Sequence, residues 1–569
     1  GWVPEMNTPI DPRWPMYSNG NISEVLPGAI TPLSWSFVGP VIEHSFRAQI
    51  LSFGAMPDPG PEHRVLGFFY HRPYICISYL AEAAGKTPGL SPDTIYEEFV
   101  GKPEAHTPGF TLSDLSPRGL RILGRVLATV GSRLRTLTKD AQKVTALVHA
   151  EKRESSADKL AALTDAQLID PLEFGEHLVA PSVTHIWAST VGVTTFSILR
   201  KLTEQWLDDE GGALAASLVT GIGELPSANP AFGIYELAEV VKGDKRVRAL
   251  FESTPDNAAL FEKLETAEGE GFTRLRVRLE DFLDQHGHRA VCEAEFRNPC
   301  WREDPTQVLA MIRNYLGEAV TPPSGIKQRQ EEVRTKAEAD ALRRLSFMQR
   351  PIFKRVLASA RRYIALREQL KDVVVLRSDW ARRRYHELAG RLETQGKLAS
   401  RNDIFFLVWS EVRDLVRGEL SAGDAAKIIA RRRQDFEWCH DLQVPKIQDG
   451  APRTVSLEDF DAGSRIEGIG VCPGRVEGIA RVVIDPRRDC RVEPGEILIA
   501  PVTDAGWTPL FINAAGLVVD VGGLLSHGSV VAREYGLPAV VGAAGATRRI
   551  KTGDRVLVDG AAGTVVILD

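Results

Sequence analysis

Near Gln443 the character of the chain changes, and no other feature limits its possible folds as much. From about Leu112 to Ala430 apolar residues recur at helical spacing, as in Leu120, Leu123, Val126, Leu127 and Val130. Beyond Gln443 the helical pattern is interrupted by Pro445, Asp449-Gly450 and Pro452. Short β-branched runs punctuated by glycine then take over: 481–484, 497–500, 517–520, 539–541, 555–558 and 564–567. A chain of 569 residues also exceeds what one hydrophobic core normally serves. The predicted organisation is therefore multidomain, α followed by α/β. A large, mainly helical domain spans 1–444, a linker or hinge 445–465, and a compact α/β domain 466–569. The first eighty residues, rich in Pro, Gly and aromatics, read as an irregular entry segment, with Thr31-Pro32 as a cap and first-turn proline.

Composition excludes several classes. The formal net charge of -6 argues against a general polyanion binder, so nucleic acid is not an expected partner. Six scattered cysteines, with no CxxC pair, fit neither a disulfide framework nor a zinc site and point to a reducing cytoplasm. No stretch approaches the roughly 18 apolar residues of a spanning helix, so no membrane partner is expected.

Within the α/β part, Leu517–Asp520 reads as a buried strand, Gly522-Gly523 as a sharp turn, and Val530–Tyr535 as a helix ended by Gly536-Leu537-Pro538. His527 then falls at or just before a helix N-terminus, where unsatisfied backbone N–H groups and the positive end of the dipole favour an anion. Ser526 and Ser529 flank it with hydroxyls, while Gly522, Gly523 and Gly528 allow close backbone approach. A neutral imidazole there suits a phosphoryl relay. The plainer alternative is that His527 merely caps the helix.

The run from Gly522 to Gly542 resembles the phosphohistidine motif in the mobile domain of the phosphoenolpyruvate-utilising enzymes. Gly470–Val482 looks like that domain's opening strands, and Gly495–Pro501 with Trp507-Thr508-Pro509 looks like its middle. The resemblance implies a swivelling β/β/α domain in which His527 is phosphorylated. The helical part is similar to the substrate domain of rifampicin phosphotransferases and of phenylphosphate synthase catalytic subunits, on Asn21–Ser36, His286–Arg289 with Glu293 and Glu295, Pro299–Pro305 and Asp403–Leu407. The sequence opens at this region rather than with an ATP-grasp domain. The implied arrangement places ATP and Mg2+ mainly on a separate ATP-grasp subunit.

Candidate substrate or phosphoryl-binding residues are His286, His288, Arg289, Glu293 and Glu295, against the alternative of structural ion pairing. Arg289 suits bidentate contact with phosphoryl oxygens, and His288 or a glutamate suits the role of general base. Two histidines two apart lack further ligands, so no metal site is expected. Gly85-Lys86-Thr87 reads as a loop rather than a phosphate-binding loop, because Leu80 stands where the first glycine belongs. Arg361, Arg362, Arg367 and Glu368 lie on one long helix and read as a surface network, against the alternative that they point into the same cleft. The expected function is an ATP-dependent phosphotransferase component relaying phosphate through His527 to a hydroxyl of a small organic acceptor. Two alternatives stand beside it: a phosphorylation-activated dehydratase or cyclase, and a non-catalytic phosphocarrier or regulatory subunit.

Overall fold

The computed structural model describes residues 5–568 except 21, 25, 62, 100–115, 210–211, 223–225, 227–228, 318–321, 441, 443, 455–462, 488–490 and 525. The chain forms two compact units. One comprises 1–190, 294–297 and 370–459, the other 191–293, 298–369 and 460–569. The region 1–444, read as one helical domain, is thus shared between both. Of the expected linker, residues 445–454 belong to the first unit and 455–462 lie outside the described residues.

The first unit holds the helices Pro32–Phe53, Pro117–Arg153 and Ala422–His440. It also holds a sheet that corrects the reading of the first eighty residues as irregular. Strands β1 (Met16–Ser18), β2 (Leu66–Phe69), β3 (Arg72–Cys76) and β4 (Ile447–Asp449) pair antiparallel in the order β2-β3-β1-β4. Tyr17, Phe68, Phe69 and Tyr74 are fully buried, so the aromatics that suggested loop are the core of this sheet. Thr31 occupies the N-cap position of Pro32–Phe53, with proline in the first turn, but its side chain makes no capping hydrogen bond and donates to Glu295 Oε1 instead.

The second unit combines helices, among them Asn229–Gly243, Glu270–His286 and Pro323–Arg344, with an eight-stranded sheet. Its strands are β5 (Arg465–Glu467), β6 (Ile469–Cys472), β7 (Arg475–Val482), β8 (Ile497–Ala500), β9 (Gly516–Val519), β10 (Ala539–Val541), β11 (Arg555–Asp559) and β12 (Thr564–Leu568). Their order is β5-β12-β11-β7-β8-β9-β10-β6, with β7 to β10 parallel and the flanking pairs antiparallel. Side chains alternate as a two-sided sheet requires. Leu498, Leu517 and Val519 pack on the face that receives Val531 and Ala532, while Ile497, Ile499 and Val518 pack on the other with Val556 and Val558. Each such buried aliphatic side chain contributes roughly 1.5–3 kcal/mol. The fold is therefore mainly helical with a β/β/α domain closing the chain, as the composition break implies.

Candidate active site

Strand β9 leads through Val521-Gly522-Gly523 into the helix His527–Tyr535, which begins three residues earlier than the Val530 expected from periodicity. Ser526 is the N-cap, its Oγ accepting from Ser529 N at 3.3 Å. The two hydroxyls stand 2.7 Å apart, and Ser529 Oγ donates to Gly523 O at 2.6 Å. Gly536 ends the helix in the left-handed conformation at φ 67. Both serines are thus consumed in shaping the turn, while His527 opens the first helical turn, whose N–H groups the helix itself cannot satisfy.

His527 is 1% exposed, and its Nε2 lies 3.2 Å from Thr508 Oγ1. A hydroxyl both donates and accepts, so this contact serves either imidazole tautomer. Thr508 sits on the 3-10 turn Ala505–Leu510, capped by Asp504 Oδ1 accepting from Gly506 N at 2.9 Å. Gly528 has no room for a side chain, because a Cβ there would stand 2.6 Å from Thr503 Oγ1. The loop is also held from the helix's last turn. Buried Arg533 donates to Leu524 O at 2.9 Å and Val471 O at 3.4 Å, and burial pushes its guanidinium down to about 10. Thr220 Oγ1 donates to Arg533 O at 2.5 Å. Burial pushes Glu534 up to about 7, against hydrogen bonds from the Ile222 and Gly221 backbone.

The structure distributes the candidate substrate residues unevenly. Arg289 Nη1 pairs with Glu293 Oε1 at 2.9 Å and its Nη2 donates to Pro226 O at 3.3 Å, with both side chains buried. His288 is buried, and His286 packs on Phe282 with ring centroids 5.1 Å apart. This loop reaches the turn that carries Thr508. Asp504 Oδ2 accepts from Cys292 N at 2.7 Å, and a Cβ on Gly506 would stand 2.9 Å from Ala290 O. Glu295 belongs to the first unit, where it does structural duty. It accepts from Thr31 N at 2.7 Å, Thr31 Oγ1 at 2.8 Å, Ser34 Oγ at 3.2 Å and Arg297 N at 2.9 Å. Burial still holds its carboxyl above the usual range.

Thr508 and Asp504 were not singled out from the sequence as site residues. Thr508 carried a sequence signal in the Trp507-Thr508-Pro509 stretch, and Asp504 lies outside it. Glu368, read as part of a surface network, is buried and paired with Arg367, because its helix packs into the unit. Gly85, read as loop, is the last residue of the helix Ile77–Gly85; Lys86 follows as its C-cap and pairs with Glu82, and Thr87 Oγ1 donates to Ala83 O at 2.7 Å. Among the described residues no three His, Cys, Asp or Glu side chains converge as metal ligands, and no helix is long and apolar enough to cross a membrane.

Residues 492–563 match the mobile domain of PEP-utilising enzymes, and residues 184–368 match the rifampicin phosphotransferase fourth domain. Rifampicin phosphotransferase of Streptomyces sviceus is 31% identical over 80% of this chain and 52% of its own length. That of Bacillus cereus is 31% identical over 66% of this chain and 43% of its own. The prodigiosin synthesizing transferase PigC of Serratia marcescens is 27% identical over 97% of this chain and 63% of its own. The chain spans about half the length of the rifampicin phosphotransferases it matches. With a buried histidine heading a helix of the β/β/α fold inside the matched stretch, residues 492–563 are a mobile domain of the PEP-utilising type, in a chain similar to rifampicin phosphotransferases over most of its length.

Proposed function

We propose that the chain is a phosphotransferase component that carries a phosphoryl group on His527 and delivers it to a hydroxyl of a small organic acceptor. The carrying observation is the placement of the His527 imidazole, set at a helix N-terminus and fixed through Nε2 by Thr508, inside the matched mobile domain. An imidazole nitrogen attacks phosphorus, forming an N–P bond as the donor's P–O bond breaks. The acceptor oxygen then attacks phosphorus, the N–P bond breaks, and the hydroxyl proton passes to a base, for which His288 and Glu293 are the candidates. ATP and magnesium supply the phosphoryl group at an ATP-grasp module outside these residues, on a partner subunit. The β/β/α domain swings between that module and the acceptor, because one histidine cannot occupy two sites at once.

Calorimetry on the chain alone tests the division of labour. No ATP binding in the micromolar range is expected, and micromolar affinity without a partner would contradict it. A second reading has the phosphoryl group activate the acceptor and then leave, so that the net product carries none. The Serratia marcescens relative, named for synthesizing prodigiosin, supports it. Product mass together with phosphate release separates the two.

A further inference from the structure

Asp504 uses its two carboxylate oxygens on two different loops. Oδ1 accepts from Gly506 N at 2.9 Å and so caps the turn that holds Thr508 against His527. Oδ2 accepts from Cys292 N at 2.7 Å, in the loop that carries His288, Arg289 and Glu293. Three observations show that this approach is built rather than incidental. Asp504 is 5% exposed, and a buried carboxylate is costly unless each oxygen is matched by donors. Gly506 faces Ala290 O so closely that a Cβ would stand 2.9 Å from it. Cys292 adopts φ 58, a left-handed conformation unusual for a side-chain-bearing residue and maintained only where surroundings impose it. On the flank, Arg487 Nη1 donates to Asn298 Oδ1 at 2.9 Å.

We propose that Asp504 is a positioning residue that couples the setting of His527 to docking against the 288–293 loop. The inference rests on the relay reading for its meaning, while its geometry stands on the two hydrogen bonds themselves. When the β/β/α domain leaves the loop, Oδ1 keeps its cap while Oδ2 loses its donor to water. Docking therefore restores a charge-assisted hydrogen bond only when the histidine turn meets the substrate loop.

The test is amide hydrogen exchange on the chain with Asp504→Asn and Asp504→Ser. Asparagine has one acceptor oxygen and cannot serve both N–H groups. Serine caps Gly506 N but is too short to reach Cys292. Asp504→Ser should exchange about tenfold faster over residues 290–293, the scale of one charge-assisted bond, and Asp504→Asn should exchange faster either there or at Gly506, with β8 to β10 unchanged in both. In Asp504→Ser the His527 ring 15N signals should keep their wild-type positions. Unchanged exchange at 290–293 in both variants would overturn the proposal. Acceleration spread equally across β8 to β10 would also overturn it, since that marks a merely structural aspartate. If wild-type His527 takes no phosphoryl label, the relay reading fails while the exchange result stands on its own.

Discussion

Thr508 Oγ1 meets His527 Nε2 at 3.2 Å, and both residues are buried in the second unit. The contact fixes the ring on a rotamer, and it does so with a group that can be removed without changing shape. Thr508→Val should slow phosphorylation of His527 about tenfold, the scale of one lost hydrogen bond, and lower stability by about 1 kcal/mol. Single-turnover labelling and denaturant unfolding check the two halves. Wild-type labelling in the variant would show that the hydroxyl does not set the ring.

Ser526 caps the helix through Ser529 N and shares a hydroxyl contact with Ser529 Oγ at 2.7 Å. Ser526→Ala should cost about 1 kcal/mol in denaturant unfolding. Ser526→Asp retains a capping oxygen and should recover most of that loss. Its negative charge would nonetheless oppose the phosphoryl group next door, so labelling should stay slow when stability returns. Recovery of both together would contradict a phosphoryl role for the turn.

Glu534 gives the second unit a pH dependence whose sign follows from its environment. Burial raises its carboxyl from the usual 4.5 to about 7, so the folded state holds a proton that the unfolded state has released across that window. Stability should therefore fall as pH rises from about 4.5 to about 7. Asp520, raised by burial to about 6, adds a slope of the same sign at the lower end. Glu534→Gln should remove the slope between pH 6 and 7 and reduce it between about 4.5 and 6, where the contribution of Asp520 stays. An unchanged slope there, read from unfolding midpoints, would show that another group titrates.

The histidine turn was legible in the sequence because every signal for it is local. Strand, glycine pair, cap, helix and Gly536 follow within twenty residues. The N-terminal sheet was not, because β1 finds β4 across more than four hundred residues and its strands are three to five residues long. Its β2–β3 turn also lacks a glycine signal. Tyr70 and His71 take φ 51 and 60, where Asn-Gly is usual, and Asn7 Oδ1 and Ile30 hold them there. The partners of Glu295 were not legible for a similar reason: its donors Thr31 and Ser34 lie more than two hundred and fifty residues away. Asp504 and Thr508 matter through the loops they face, and a linear pattern does not record facing.

The most direct measurement is the phosphoryl label itself. His527→Ala should fold, since Ser526 rather than the imidazole caps the helix, and its far-UV spectrum should match wild type. Supplied with labelled ATP and an ATP-grasp protein of the kind proposed, the wild-type chain should acquire an acid-labile, base-stable label and pass it to acceptor, while His527→Ala acquires none. Equal labelling of the folded alanine variant would contradict the assignment of His527 as the relay.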